Sequence, residues 1–376
     1  MLKPNIPIID LKNQYRAIKS MVDERVLAVL ASGSYILGAE LAAFEREFAF
    51  YLKSENCVGV NSGTDALYLA LRACGVKAGD EVITTPVTFI ATAETIVRTG
   101  AKPVFVDIRE SDSNMDPDLI EKKITSKTKA ILPVHLYGFA CDMDKIRRVA
   151  SAHRLKVIED CAQSVGGYFG DARLGTFSDV GCFSFYPTKN LGACGDGGAL
   201  VTNDERIAEE TKLLRTHGSV LRGYYDQFGI NSRLDEIQAA VLRVKLLYID
   251  RWNKMRRDLA RNYDTLFEGA PHVRVFRALE NTTPVYHLYC ILVDQREALQ
   301  ERIAEKGITT MVHYPVPLHL TGALKHLGHK EGDFPVSENV CRRVLALPLY
   351  PELAFQEQEV IAEHIKQFGR VSDDLA

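Results

Sequence analysis

The chain has no C-x-x-C pair. Its eight cysteines, at 57, 74, 141, 161, 182, 194, 290 and 341, are dispersed over 376 residues, and none shares a ligand-like spacing with a histidine. Structural zinc sites need four clustered ligands, and disulfide scaffolds are short and cysteine-dense, so this usage fits free thiols in a reducing compartment. His326 and His329 lie close together, but a pair is too few for a metal site, and no metal is expected. The opening stretch "MLKPNIPIIDLKNQY" holds no apolar run long enough for a signal or a membrane span, so a cytoplasmic protein is expected. Neither sign of charge dominates: 46 Lys and Arg against 49 Asp and Glu leave a net charge of -3. That balance gives no electrostatic reason to expect nucleic acid or an anionic membrane as a partner. Low-complexity segments and fixed-period repeats are also missing.

What is present describes an ordinary globular protein, with 46% hydrophobic and 25% charged residues. The length exceeds one usual core, so two domains are expected. One basic run, "RVKLLYIDRWNKMRRDLARN" (243–262), carries apolar residues at helical spacing and reads as the solvated face of a helix, with a binding patch as the alternative. From residue 57, short β-rich runs alternate with helical ones: "CVGV", "EVITT", "KPVFVDI", "AILPVHL", "KVIED", "GCFSFY" and "GALVTN". Nearly continuous apolar strands separated by amphipathic helices predict an α/β fold, a mostly parallel sheet covered on both faces. After Ile230, "NSRLDEIQAAVLRVKLLYI" predicts one long helix with Leu234, Ile237, Val241, Val244 and Tyr248 on a stripe, opened by a capping box of Ser232 and Asp235. Beyond it the pattern predicts a smaller α+β domain, giving a division into 1–249 and 250–376.

Ligands of such sheets bind outside the carboxyl ends of the strands, and the conspicuous residues fall there. "NSGTDAL" (61–67) is a small-residue turn into a helix, suited to a phosphate and equally to simple N-capping. In "KVIEDCAQS" (156–164), Asp160 either caps a loop or serves as the carboxylate that keeps a pyridinium nitrogen protonated, with Gln163 in reach of a phenolic oxygen on the same ring. Phe89 in "VTFIATAE" is a flat side chain for stacking, or a core residue. Ser184 offers a hydroxyl, and Lys189 in "SFYPTKN" is either a solvated strand end or a Schiff-base lysine in an apolar site. Each residue has a bland reading. Together they form the set that pyridoxal phosphate requires.

The motifs "NSGTDAL", "EDCAQ", "SFYPTKNLGACGDGGALVTND" and "NSRLDEIQAAVLRVKL" resemble the DegT/DnrJ/EryC1/StrS sugar aminotransferases. With "IPIIDLKNQY", "SGSYILG" and "HYPVPLH", the resemblance runs over nearly the whole chain. It implies fold type I with a seven-stranded type of sheet, and a homodimer with active sites at the subunit interface. It further implies that Lys189 holds pyridoxal 5'-phosphate covalently, that Asp160 pairs with its ring nitrogen, that Gln163 contacts the ring hydroxyl and that Phe89 stacks on the ring. Gly63, Thr64 and Ser184 would hold the phosphate, and Asn231 would reach the phosphate in the partner subunit. Tyr186, His313, Tyr314 and Arg233 are the substrate-binding candidates; a turn at Tyr314–Pro315 and a surface role for Arg233 are their plain alternatives.

A branch of the family that removes a sugar hydroxyl has His where this chain has Lys189, so transamination is expected. The substrate would be a nucleotide-linked ketosugar, with a lean to 3-keto hexoses carried on UDP or dTDP, and glutamate would be the amino donor. The product would be an amino sugar for lipopolysaccharide or other polysaccharide. The rivals are a dehydratase or eliminase on the same cofactor, and a regulatory protein without catalysis.

Overall fold

Seven apolar runs pair into one sheet in the computed structural model, which describes residues 5–221 and 223–373. The remaining terminal residues of the two expected domains lie outside the described residues. The strands are β1 (Asn56–Val60), β2 (Glu81–Thr84), β3 (Lys102–Phe105), β4 (Thr128–Ile131), β5 (Lys156–Asp160), β6 (Val180–Ser184) and β7 (Gly198–Thr202). Their order is β1-β7-β6-β5-β4-β2-β3. Pairing is parallel from β6 to β3, and only β7 runs against both of its neighbours.

Eleven α-helices are present among the described residues: α1 (Leu11–Ser32), α2 (Ala39–Leu52), α3 (Gly63–Ala73), α4 (Ile90–Arg98), α5 (Met143–His153), α6 (Glu205–Leu214), α7 (Glu236–Leu246), α8 (Ile249–Leu266), α9 (Arg296–Ala304), α10 (Pro335–Arg343) and α11 (Phe355–Asp373). Side chains alternate across each strand with period two, and the central strands use both faces. Cys182 and Leu200 pack with Leu67, Leu71 and Ile207 on one side. Phe183, Ala199 and Val201 pack with Phe44, Phe48 and Leu242 on the other. None of these helices is long and apolar enough to cross a membrane.

A second, antiparallel sheet is built from β8 (Val273–Val275), β9 (Tyr289–Val293) and β10 (Val344–Leu347), in the order β8-β9-β10. It shares a core with Leu259, Tyr263, Leu299, Ile361 and Ile365. The amino-terminal segment joins this part of the molecule, because Ile6 bridges Ile308 and is buried in the same core.

Two expectations are corrected. The long helix after Ile230 begins at Glu236 and is interrupted at Leu247 and Tyr248, before α8. Bridges from Asn231 to Thr216 and from Asp235 to Ile36 hold residues 231–235 extended, so pairing overrides local capping chemistry. Ser232 is buried and bonds to Asn61 (Oγ to Oδ1 3.3 Å, backbone N to Oγ 3.2 Å). The basic run is only partly solvated. Lys245 is buried with its ammonium on the Gly192 carbonyl at 2.6 Å, and buried Arg256 donates to the carbonyls of Tyr286, His287 and Leu349. Arg243 is tied to Glu40 and Glu47. These cations join segments that sequence spacing does not relate.

Glu236 shows the same principle. Its buried carboxylate accepts from the backbone amides of Gly38 (2.8 Å), Glu40 (2.8 Å) and Leu41 (3.0 Å), so the first turn of α7 caps the first turn of α2. Glu236→Ala is expected to lower stability by about 2–4 kcal/mol, since charge-assisted bonds are lost and buried donors are left unmet. A lower urea midpoint measures it, and an unchanged midpoint contradicts the capping role.

Candidate active site

A cavity of about 610 Å³ opens where the carboxyl ends of β1, β5 and β6 meet segments of the second sheet. It is lined by Gly63, Thr64, Phe89, Asp160, Gln163, Ser184, Tyr186, Lys189, His313 and Tyr314. Ten of the twelve residues singled out in the sequence therefore converge on one space. Asn231 is exposed and Arg233 half-buried, and neither lines this cavity within the single chain.

One end of the cavity is the amino terminus of α3. Ser62 is its N-cap, with Oγ accepting from the Asp65 amide at 3.1 Å. The amides of Gly63 and Thr64 fall in the first turn, where a helix offers no internal acceptor, so they remain for an anion. Capping and anion binding thus use different groups of one turn. The turn is pressed against β6 and β7: a Cβ on Gly63 would lie 2.6 Å from Cβ of Ser184, and one on Gly198 would lie 2.3 Å from the Ser62 carbonyl carbon. Both positions need glycine for this close approach.

The opposite end is set by Asp160, the last residue of β5. Its carboxylate accepts from Thr92 Oγ1 (2.9 Å) and from the Ala162 amide (3.1 Å). Thr92 Oγ1 donates to Asp160, so the hydroxyl of Thr88, 2.9 Å from it, serves as its donor in turn. Burial pushes the Asp160 carboxyl up from its ordinary value, opposed by these bonds and by the charge of Lys189.

Lys189 lies in the loop after β6, its amide bonded to the Tyr186 carbonyl at 2.8 Å. Burial lowers its amine from 10.5 to about 8, with Asp160 pulling the other way. The solvated-end reading of this lysine does not hold, and the value is that of an amine partly neutral near physiological pH. Phe89, at the N-cap position of α4, is 56% exposed and belongs to the cavity wall, contrary to the core alternative. Its ring stands 6.2 Å from that of Tyr314. Gln163 Oε1 accepts the Tyr137 amide at 2.6 Å, which turns its amide nitrogen to the Tyr314 hydroxyl. The His313 imidazole is pulled down by burial and by Lys189.

Sequence reasoning missed Thr88, Thr92 and His287, all on the cavity wall. The Thr88-x-x-x-Thr92 spacing at a helix start was an available signal for one pair. His287 had none, since it comes from the segment before β9.

Among the described residues, one buried group has the makings of a metal site: His135, Glu159 and Cys161, with ligand atoms within 4.8 Å of one another. Glu159 is already committed to His135 Nε2 (2.8 Å), the amides of Gly175 (2.9 Å) and Phe177 (3.1 Å), and Ser178 Oγ (2.7 Å). His135 Nδ1 accepts the Cys141 amide at 3.0 Å, so Nε2 carries the proton to Glu159. This is a hydrogen-bonded clamp behind the strand that ends in Asp160.

An anion cradle that a Cβ would fill, a buried carboxylate, an exposed ring and a lysine of lowered basicity fit pyridoxal phosphate. The fold and site are those of a pyridoxal phosphate-dependent aminotransferase. Residues 16–366 match the DegT/DnrJ/EryC1/StrS aminotransferase family, and the chain belongs to it. It is 44% identical to a pleiotropic regulatory protein of Geobacillus stearothermophilus, over 97% of this chain and 99% of that one. It is 43% identical to the dTDP-3-amino-3,4,6-trideoxy-alpha-D-glucose transaminase of Streptomyces venezuelae, over 98% of each. Relatives at 40–43% identity are named as aminotransferases of further dTDP-linked and UDP-linked sugars. The crystal structure of S. venezuelae DesV with a ketimine intermediate superposes with a TM-score of 0.95 at 43% identity, covering 97% of this chain and 99% of that one. Solved members carry the cofactor in pyridoxal or pyridoxamine phosphate form.

The lowered amine gives a direct prediction. An amine with a pKa of about 8 is roughly one-tenth neutral at pH 7, against fewer than about one in a thousand at 10.5. Borohydride trapping of pyridoxal phosphate on the apoprotein should rise through about pH 8 and then level. A rise confined to pH above 10 contradicts the buried setting. Gly63→Ala should reduce cofactor retention at least tenfold, measured by dialysis and absorbance.

Proposed function

We propose that this protein transfers an amino group from glutamate to the keto group of a nucleotide-linked hexose, with a 3-keto sugar on dTDP or UDP as substrate. Lys189 carries the reading: its amine lies in the cavity with Asp160, at a basicity suited to accepting and returning a proton near neutral pH.

Bound pyridoxal phosphate would supply an electron sink at the carbon that loses its proton. The Asp160 carboxylate, oriented by Thr92 and Ala162, would present a negative charge to the ring nitrogen and favour its protonated form. The amides of Gly63 and Thr64 with Ser184 would hold the phosphate, and Phe89 would flank the ring. Lys189 would take the proton from the donor's α-carbon and return it on the neighbouring cofactor carbon, then do the reverse for the sugar. Tyr186, His313 and Tyr314, which line the cavity, would meet the sugar.

Asn231 and Arg233 would act across a homodimer interface. The chain beside them exposes Leu221, Tyr224, Tyr225 and Phe228, the last 93% exposed, which is apolar surface that a second copy would cover. The regulatory reading has the names of two relatives in its favour, a pleiotropic regulatory protein and a sensory transduction protein. The presence of lysine at 189, together with a complete cradle, favours the enzyme.

Lys189→Ala should abolish transamination and remove the visible absorbance of the cofactor-loaded protein; a variant that still aminates ketosugar contradicts the assignment. Asn231→Ala should weaken cofactor retention in the dimer, read by dialysis. Retention equal to the unaltered dimer counts against a role across the interface.

A further inference from the structure

Thr92 is fully buried in the first turn of α4, and its hydroxyl bonds in an unusual direction. Threonines inside helices commonly return the hydroxyl to the carbonyl four residues earlier. Thr95 does so, with Oγ1 donating to the Ala91 carbonyl at 2.8 Å, and so does Thr211 in α6, to Ile207 at 2.7 Å. Thr92 instead sends its proton to Asp160 Oδ2 at 2.9 Å, across 68 residues of sequence.

The direction of the chain follows from the donors available. An ionised carboxylate only accepts, so the single Thr92 proton lies on the side of Asp160, and the Thr88 hydroxyl, 2.9 Å away, points its own proton at Thr92 Oγ1. Both threonines are buried, which shields these bonds from competing solvent. The other carboxylate oxygen, Oδ1, accepts the Ala162 amide at 3.1 Å. Each oxygen of Asp160 thus carries one fixed bond, and the plane of the carboxylate is set. The donor belongs to the amino-terminal turn of a helix, the end at which negative charge is favoured. That turn opens with Phe89, whose carbonyl accepts the Thr92 amide at 3.2 Å, so the flat cavity wall and the donor to Asp160 are fixed to one another. Burial pushes the Asp160 carboxyl up, and the bonds from Ala162 and Thr92, with Lys189 and His135 beyond them, oppose it. A protonated Asp160 would be no counter-ion for a ring cation.

We propose that Thr88 and Thr92 form a donor relay that keeps the Asp160 carboxylate charged and in plane, and so makes the site select a cofactor with a basic ring nitrogen. Thr92 is a positioning residue that acts through Asp160. The relay rests on the pairing of Asp160 with the ring nitrogen given above, and its test separates the two.

The measurement is the ratio of dissociation constants for pyridoxal phosphate and for its analogue with C–H in place of the ring nitrogen, by equilibrium dialysis against the apoprotein. Both ligands share the phosphate, the ring hydroxyl and the aldehyde that Lys189 takes. Damage to the cradle or the fold therefore moves both constants together, and the ratio reports the nitrogen alone. The unaltered protein should prefer the nitrogen-bearing ligand by about tenfold or more, the worth of a charged hydrogen bond. Asp160→Asn should remove that preference. Thr92→Val keeps the shape and deletes the hydroxyl, and should cut the preference about fivefold, with Thr88→Val cutting it about twofold. Thr92→Ser should restore most of it. A preference lost in Asp160→Asn but kept in a folded Thr92→Val protein overturns the relay alone, as does a Thr92→Ser ratio no better than that of Thr92→Val. A preference absent from the unaltered protein, or unchanged in Asp160→Asn, overturns the reading of Asp160 and the relay with it. Should Thr92→Val fail to fold, Thr92→Ala makes the same comparison.

Discussion

Lys189 and Asp160 are a base and an acid held together in one cavity, and the rest of the fold is arranged around keeping them there. A buried cation with a single carboxylate in reach loses more solvation than it regains, and its proton becomes easy to give up. The same burial raises the acid. Neither group would keep this setting on a flexible loop. Asp160 ends β5, and Lys189 lies in the short loop after the adjacent parallel strand β6, held there by its own amide on the Tyr186 carbonyl and by the buried side chain of Asn190 next to it.

The supports behind the pair are polar and fully bonded. Glu159, one residue before Asp160, takes four hydrogen bonds from His135, Gly175, Phe177 and Ser178 and anchors the back of β5. Asn190, one residue after Lys189, is locked between Val285, Asn253 and His287. Each reactive residue is thus adjacent in sequence to a buried polar anchor. Such anchors tolerate little substitution, because removing one partner leaves the others unmet in a low-dielectric interior.

The site also explains the crowding of glycines after Lys189. Gly198 begins β7 between Val60 and Ser184, and any side chain there would strike the turn that presents the amides of Gly63 and Thr64. The single antiparallel strand of the sheet therefore brings the anion end of the cavity close to the lysine loop. Topology and chemistry meet at that one residue.

The sequence by itself determined the alternation of strand and helix, because apolar periodicity follows from local geometry. It also determined the chemical identity of the cofactor set, since a lysine, a carboxylate and a helix-opening Ser-Gly-Thr turn are legible as residue types. It misjudged what depends on partners distant in the chain. Residues 231–235 are extended because Thr216 and Ile36 pair with them, and Lys245 and Arg256 are buried because backbone carbonyls elsewhere need donors. Only the tertiary structure decided that His287 lines the cavity of Lys189 and bonds to Asn190, that the Thr88 and Thr92 hydroxyls lead to Asp160, and that Asn231 lies off its own cavity. These relations are set by packing between segments some 70 to 100 residues apart in two of the three cases, and local periodicity carries no information at that range.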